Sequence, residues 1–470
     1  MPAQPFVRAQ GTPEHAQILR VRPLAAAGSP DLQAVAQHMF SLMLRNLSSD
    51  GYRFLDPSSP GPQPSFSQAG CIIAAPSYPA NTPGINQDYV FNWVRDAAIT
   101  AIELAAAKIP AQPGAPVQPL VDYVRFSQLC QNNAVPTKGH AVFTMEGNPR
   151  QWSEQNDGPA IQTLAILQAF DQLDPATQAI ATSVMNTNIE YLLTIYQEPT
   201  KNLWEEYCGL SFFAQAVQLK CFQQVAANTI GVEIPNGVSE AVGWLQDALQ
   251  RHWNGQYYVT LLAPPAPGDP NMPAVPAGRG YDPNIDIVQA SIYGAIPFTD
   301  TKLLATAAQL RRQWADRASQ TVYPISLADS KLGLGPMLGR YPGDFYDGDT
   351  SQPVPGGHPW AVCTCNFAEL YYGLANEISG GTAVPLDPLS TEFFGQVGID
   401  AGTSPEEAAV ALRNAGDAMM QAVVYHSDNL ELSEQFDGTT GYEKSVRDLT
   451  WSYAAFLSAV RRRNAGAVEG

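Results

Sequence analysis

Leu32-Gln33-Ala34-Val35-Ala36-Gln37-His38-Met39-Phe40-Ser41-Leu42-Met43 sets Leu32, Val35, Ala36, Met39 and Met43 at i, i+3, i+4, i+7 and i+11. That is the spacing of one apolar face of an α-helix. The pattern returns along the chain, at Ile189, Leu192, Leu193 and Tyr196, at Leu303, Ala307, Leu310 and Trp314, and at Phe367, Leu370, Tyr371 and Leu374. Helix starts are marked as well. Ser29-Pro30, Asp174-Pro175 and Ser404-Pro405 each set a capping side chain before a proline at the first helical position, and Ser404 with Glu407 spells a capping box. The sum is roughly a dozen helices, with no solenoid repeat and no run of alternating short strands. An all-α chain of this kind is either an α/α barrel or a large bundle. Proline- and glycine-rich loops near 56–64, 109–118, 263–283 and 342–359 do not read as flexible linkers, so one domain over 1–470 is expected, with about 1–28 as an N-terminal extension.

The 470 residues are 45% hydrophobic and 15% charged, enough apolar material for a large core. The formal net charge of -18 disfavours nucleic acid and anionic membranes as partners but does not penalise a neutral substrate. No stretch is long and apolar enough to span a bilayer. The polar, proline-broken N-terminus lacks the apolar segment of a secretory signal, so a cytoplasmic setting is expected, and secretion only if a signal has been removed. Six scattered cysteines, Cys71, Cys130, Cys208, Cys221, Cys363 and Cys365, indicate neither a disulfide framework nor a metal site. The sequon Asn46-Leu47-Ser48 is a single signal the other way.

Five segments between helices concentrate Trp, Tyr, Arg, Asp and Glu. Asp88-Tyr89-Val90-Phe91-Asn92-Trp93-Val94-Arg95-Asp96 is either a salt-bridged helix end or a grip on sugar hydroxyls by charge-assisted hydrogen bonds. In Trp152-Ser153-Glu154-Gln155-Asn156-Asp157-Gly158-Pro159, Asp157 or Gly158 reads as a helix cap, and Trp152 as a stacking lid or a core anchor. Leu203-Trp204-Glu205-Glu206 sets two carboxylates beside a tryptophan. Such acids are either solvated near the next helix start or include a general acid whose pKa is raised by an aromatic wall and a like charge. Gly339-Arg340-Tyr341-Pro342-Gly343-Asp344-Phe345-Tyr346, closing at His358-Pro359-Trp360, is a surface turn or a binding loop. Ser433-Glu434-Gln435, followed by Ser445-Val446-Arg447-Asp448-Leu449-Thr450-Trp451-Ser452-Tyr453, is unremarkable in isolation.

Taken in order, these segments resemble glycoside hydrolase family 15, and within it the fungal-type glucoamylases, from about Gly70 to about Val460. The resemblance rests on Gly70-Cys71-Ile72-Ile73-Ala74-Ala75-Pro76-Ser77 leading to the Tyr…Trp-x-Arg-Asp motif, on Asn202-Leu203-Trp204-Glu205-Glu206, on Ser433-Glu434-Gln435 and on Arg447 to Tyr453. It implies an (α/α)6 barrel whose connecting loops line a pocket. It implies Glu205 as general acid and Glu434 as general base of an inverting, exo-acting hydrolysis that needs no metal or cofactor. Arg95, Asp96, Glu206 and Arg340 would hold the terminal glucose or its neighbour. Tyr89 and Trp451 would pack on the ring, Leu203 and Trp204 would present backbone groups, and Tyr346 and Trp152 would border the next sugar. The implied substrate is an α-1,4-linked glucan oligosaccharide, with α-1,6 linkages cut more slowly, and the implied state is a monomer. The alternatives are an α-1,6 or trehalose specificity, or an inactive sugar-binding module on the same scaffold.

Four departures from the family pattern stand out. The Trp152 segment is one residue short. Gly343 stands where Glu is usual. An insertion, Asp347 to Gly357, enlarges the next loop. The last departure is that no starch-binding module follows Trp451, which favours soluble oligosaccharides over granules.

Overall fold

The computed structural model describes residues 31–48, 53–54, 65–76, 88–107, 115–152, 154–231, 233–263, 273–348 and 354–465. The Ser29-Pro30 start, the 56–64 loop and the 1–28 extension lie outside them.

Among the described residues, twelve helices of eight residues or more alternate between two concentric rings. The inner six are α2 (Val94–Ala106), α4 (Gly158–Ala169), α6 (Phe212–Ala227), α8 (Asp286–Tyr293), α11 (Ala361–Ser379) and α14 (Thr450–Ala465). Each packs on the next, and α14 returns to α2 to close the ring. The outer six are α1 (Leu32–Met43), α3 (Gln118–Asn133), α5 (Pro175–Ile195), α7 (Val238–Arg251), α9 (Thr301–Ala315) and α13 (Pro405–His426). They lie against α14, α2, α4, α6, α8 and α11 in turn. The arrangement is an (α/α)6 barrel. Two short helices, α10 (Pro324–Asp329) and α12 (Thr391–Gly395), fill connections.

Residue chemistry sorts the helices between the rings. On α7 the buried positions are Val238, Ala241, Leu245, Ala248 and Leu249, a single stripe. All eight residues of α8 are buried, as are sixteen of nineteen on α11. A helix enclosed on every face belongs inside, and a striped one outside. Polar side chains on inner helices find partners there, as in Gln289 Nε2 donating to Asn366 Oδ1 at 3.2 Å.

The caps at Asp174 and the box of Ser404 with Glu407 form as their sequences indicate. Asp157 does not cap α4: its backbone is helical and its side chain makes no capping bond. It is used elsewhere. The sequon is also not a usable acceptor, since Asn46 is buried and donates to Asp448 O and Thr450 Oγ1. All six cysteines are buried and free. Among the described residues, no helix is long and apolar enough to cross a membrane.

Short antiparallel ribbons tie the loops that lead into the inner helices. Strand β1 (Arg53–Phe54) pairs with β2 (Ser65–Phe66), and β3 (Asn92–Trp93) with β4 (Val142–Phe143). Strand β6 (Cys208–Ser211) lies between β5 (Thr200–Lys201) and β7 (Leu261–Leu262). Strand β8 (Gln435–Phe436) pairs with β9 (Glu443–Lys444). None of these ribbons makes a separate β domain. They crimp the mouth of the barrel.

Candidate active site

The lead-ins to the six inner helices meet at one end of the ring. Asn202 shapes the turn ahead of α6. Its carbonyl accepts from Glu205 N (2.9 Å), and its Oδ1 accepts from Glu206 N (3.2 Å) and Tyr207 N (3.3 Å). Its amide donates to Tyr281 Oη. The turn throws Glu205 into the left-handed region, φ +64°, which is uncommon for a residue with a Cβ and is a form of local strain found at functional sites.

Both oxygens of Glu205 are then occupied. Trp93 Nε1 donates to Oε1 at 2.6 Å, Trp152 Nε1 donates to Oε2 at 2.5 Å, and Arg95 Nη2 stands 3.8 Å from Oε1. Burial raises the Glu205 pKa above the ordinary carboxylate value, against the lowering influence of Arg95 and the two indoles. The expected wall of aromatics is present, but it acts through its N–H groups and so favours the ion. The neighbouring Glu206 is not the source of the shift. It turns to Tyr341 Oη (2.8 Å to each oxygen), Arg340 Nη2 (3.0 Å) and Tyr281 Oη (3.2 Å).

Glu434 sits at the base of the β8–β9 ribbon ahead of α14. Tyr89 Oη donates to its Oε1 at 2.9 Å, and Ser445 Oγ donates to its Oε2. Tyr346 Oη lies 3.0 Å from Tyr89 Oη. Burial raises the Glu434 pKa also, while Ser445 and Tyr89 pull it back. Each carboxyl therefore has its own donors. One donor to each, Tyr89 and Trp93, comes from the same segment, with ring centroids 5.7 Å apart.

Two arginines organise the rest. Arg95 faces Asp157 (3.2 Å) and Asp96 (3.3 Å) and stands 5.2 Å over the Trp451 ring. This pairing is what draws Asp157 away from capping. Burial pushes Asp96 up to about 6, against the pull of Arg95. Arg340 makes a two-pronged pair with Asp344 (2.6 and 2.8 Å) and lies about 5 Å over Trp204, Tyr346 and Trp360. Trp204 stacks on Trp451 at 6.1 Å and donates to Asn284 Oδ1. Leu203 is buried beneath. Trp152 is 41% exposed at the rim, under Arg150.

All the residues singled out from sequence thus gather at this mouth. Several partners carried no role in the sequence: Trp93, Tyr341, Asp344, Trp360 and Ser445 lie inside the quoted segments, and Asp157 read only as a helix cap. Tyr281 lies in a proline-rich stretch with no signal of its own. Gly343 has a structural reason. A Cβ there would lie 1.7 Å from Arg279 O, because the two loops meet backbone to backbone with Gly343 N donating to Gly280 O at 2.9 Å. The usual glutamate does not fit.

Known proteins share this fold. The glucoamylase of Blastobotrys adeninivorans is 26% identical over 441 residues, covering 84% of this chain and 67% of that one. An intracellular, sporulation-specific glucoamylase of Saccharomyces cerevisiae is 25% identical over 457 residues, covering 84% and 78%. The solved glucoamylase of Saccharomycopsis fibuligera shares the fold, with a TM-score of 0.75 at 20% identity over 95% of this chain and 99% of that one. The sequence model of the Glycosyl hydrolases family 15 matches residues 63–461, a span that holds both carboxyls and all of the inner ring but the last turn of α14, and the chain belongs to that family.

Proposed function

We propose that this chain is an exo-acting glucoamylase that releases terminal glucose from α-1,4-linked glucans, and more slowly from α-1,6 linkages, with inversion to β-glucose. The observation that carries the reading is the pair of buried carboxyls, Glu205 and Glu434, each held by its own set of donors. The glucoamylase names of the relatives supply the substrate class.

Glycoside cleavage passes through an oxocarbenium-like state and needs one acid and one base on opposite faces of the sugar. Glu205 is the acid: burial keeps its proton available for the leaving oxygen. Glu434 is the base. Hydroxyls of Tyr89 and Ser445 hold both of its oxygens and draw its pKa back from the rise that burial causes, and the Ser-Glu-Gln segment it stands in resembles the family's base segment. Arg95, Asp96, Glu206 and Arg340 offer charged groups to sugar hydroxyls. Trp451, Trp204 and Trp152 offer aromatic surface, and Leu203 holds the turn from below. An inverting pair leaves roughly 6.5–9.5 Å between carboxyls for the water, and a retaining pair about 5–5.5 Å. Proton NMR of a maltooligosaccharide digest in its first minutes checks this. The β-anomer is expected to appear first, and early α-glucose would remove the assignment of Glu434 as base. Maltose, isomaltose and trehalose run in parallel separate the linkage readings.

A further inference from the structure

The insertion that begins at Asp347 brings a carboxylate to the flank of the candidate base. Asp347 Oδ1 accepts from His358 Nε2 at 3.0 Å and pairs with Lys444 Nζ at 2.6 Å. The two partners belong to different lead-ins. His358 stands just ahead of α11, while Lys444 lies on β9, opposite Gln435, the neighbour of Glu434. The tautomer of His358 is set by its surroundings. Gly438 N–H donates to Nδ1 at 3.2 Å, so the ring proton sits on Nε2 and points at Asp347. The charged groups facing this ring are Asp347, Lys444 and Asp437, and burial lowers its pKa. Asp347 and His358 have side-chain exposures of 13% and 6%, so this is not an exposed pair of negligible worth.

One residue beyond Lys444, Ser445 is held at φ +64° with its hydroxyl on Glu434. Gly348, one residue beyond Asp347, closes on it from the other side: a Cβ at Gly348 would lie 2.7 Å from Ser445 Cβ and Oγ. A serine in left-handed backbone stays there only when its neighbours enforce it. Here the enforcing contacts come from Asp347-Gly348 on one strand of the loop and Lys444 on the other.

We propose that Asp347 is a positioning residue for Glu434: by tying Lys444 to His358 it pins the 434–445 ribbon and holds the Ser445 hydroxyl on the carboxylate. The inference rests on Glu434 being the base. Ser445 donates to the ionised form, so its loss raises the Glu434 pKa, and the acidic limb of the kcat profile moves to higher pH.

The test uses the full chain and a soluble maltooligosaccharide, with folding checked by circular dichroism. Asp347→Ala is expected to move the acidic limb up by about one pH unit, so that kcat on the acid side falls roughly five- to tenfold while KM changes little. Lys444→Met, which keeps the buried ring of His358 intact, should move it the same way, and Asp347→Glu should restore it in part. Ser445→Ala should reproduce the shift, and Asp347→Ala added to Ser445→Ala should add nothing further. A folded Asp347→Ala or Lys444→Met with the original limb, or full additivity with Ser445→Ala, overturns the clamp. Wild-type kcat in Glu434→Gln is a separate result, and it overturns the base assignment itself.

Discussion

At the mouth of the inner ring, Asp96, Asp157 and Glu205 share the one guanidinium of Arg95, and Glu206 and Asp344 share that of Arg340. Deeper in the ring the balance is reversed. Glu103 takes both prongs of Arg461 (2.6 and 3.1 Å), and Glu369 takes Arg462 (3.3 Å) and Ser458. Lys220 adds a further cation there, lowered to about 8 chiefly by burial and then by Arg462. Both regions bury charge. The deep one has enough cations to neutralise its acids and stitches α14 to α2 and α11. The mouth has a surplus of carboxylates, and burial raises the pKa of Asp96, Glu205 and Glu434 there, which is the direction a general acid needs.

The largest effect that would break this contrast is at Glu205. Glu205→Gln is expected to lower kcat by at least about 10²-fold with the fold retained. Near-normal turnover would take Glu205 out of the mechanism. At the deep cluster the outcome should be the opposite. Arg461→Met leaves Glu103 buried and unpaired and should cost about 2–4 kcal/mol of stability in denaturant, with kcat at 25 °C unchanged. Adding Glu103→Gln should recover much of the loss. If the single variant melts normally, the pair does not hold the barrel.

The smallest effect sharpens the account of the mouth. The folded pKa of Asp96, about 6, lies above that of an exposed carboxylate. The folded state therefore binds this proton more tightly than the unfolded chain does. Its contribution to stability is complete below about pH 4 and is lost as pH rises through about 6. Asp96→Asn should remove roughly 1–3 kcal/mol of that slope between the two values. An unaltered slope in chemical denaturation across that range would mean that Asp96 is ionised throughout.

Much of this was legible in the chain. The period of 3.6 and the caps at Asp174 and Ser404 depend on residues within a few positions of each other, and they form as read. Asp157 shows where local reading stops. Its sequence is that of a cap, yet a buried arginine sixty-two positions away in the chain outweighs the helix end. Gly343 reads as a lost glutamate, and only the loop pressed against it explains why no side chain stands there.

The sequence by itself determined the run of helices, and its resemblance to glycoside hydrolase family 15 implied the ring and singled out Glu205 and Glu434, because amphipathic period and short motifs are local properties of a chain. Tertiary structure alone decided who holds those carboxyls. Trp152 reaches Glu205 across 53 positions and Tyr89 reaches Glu434 across 345. A hydrogen bond acts over about 3 Å, so its partner is set by where the folded lead-ins meet and leaves no periodic trace in the sequence.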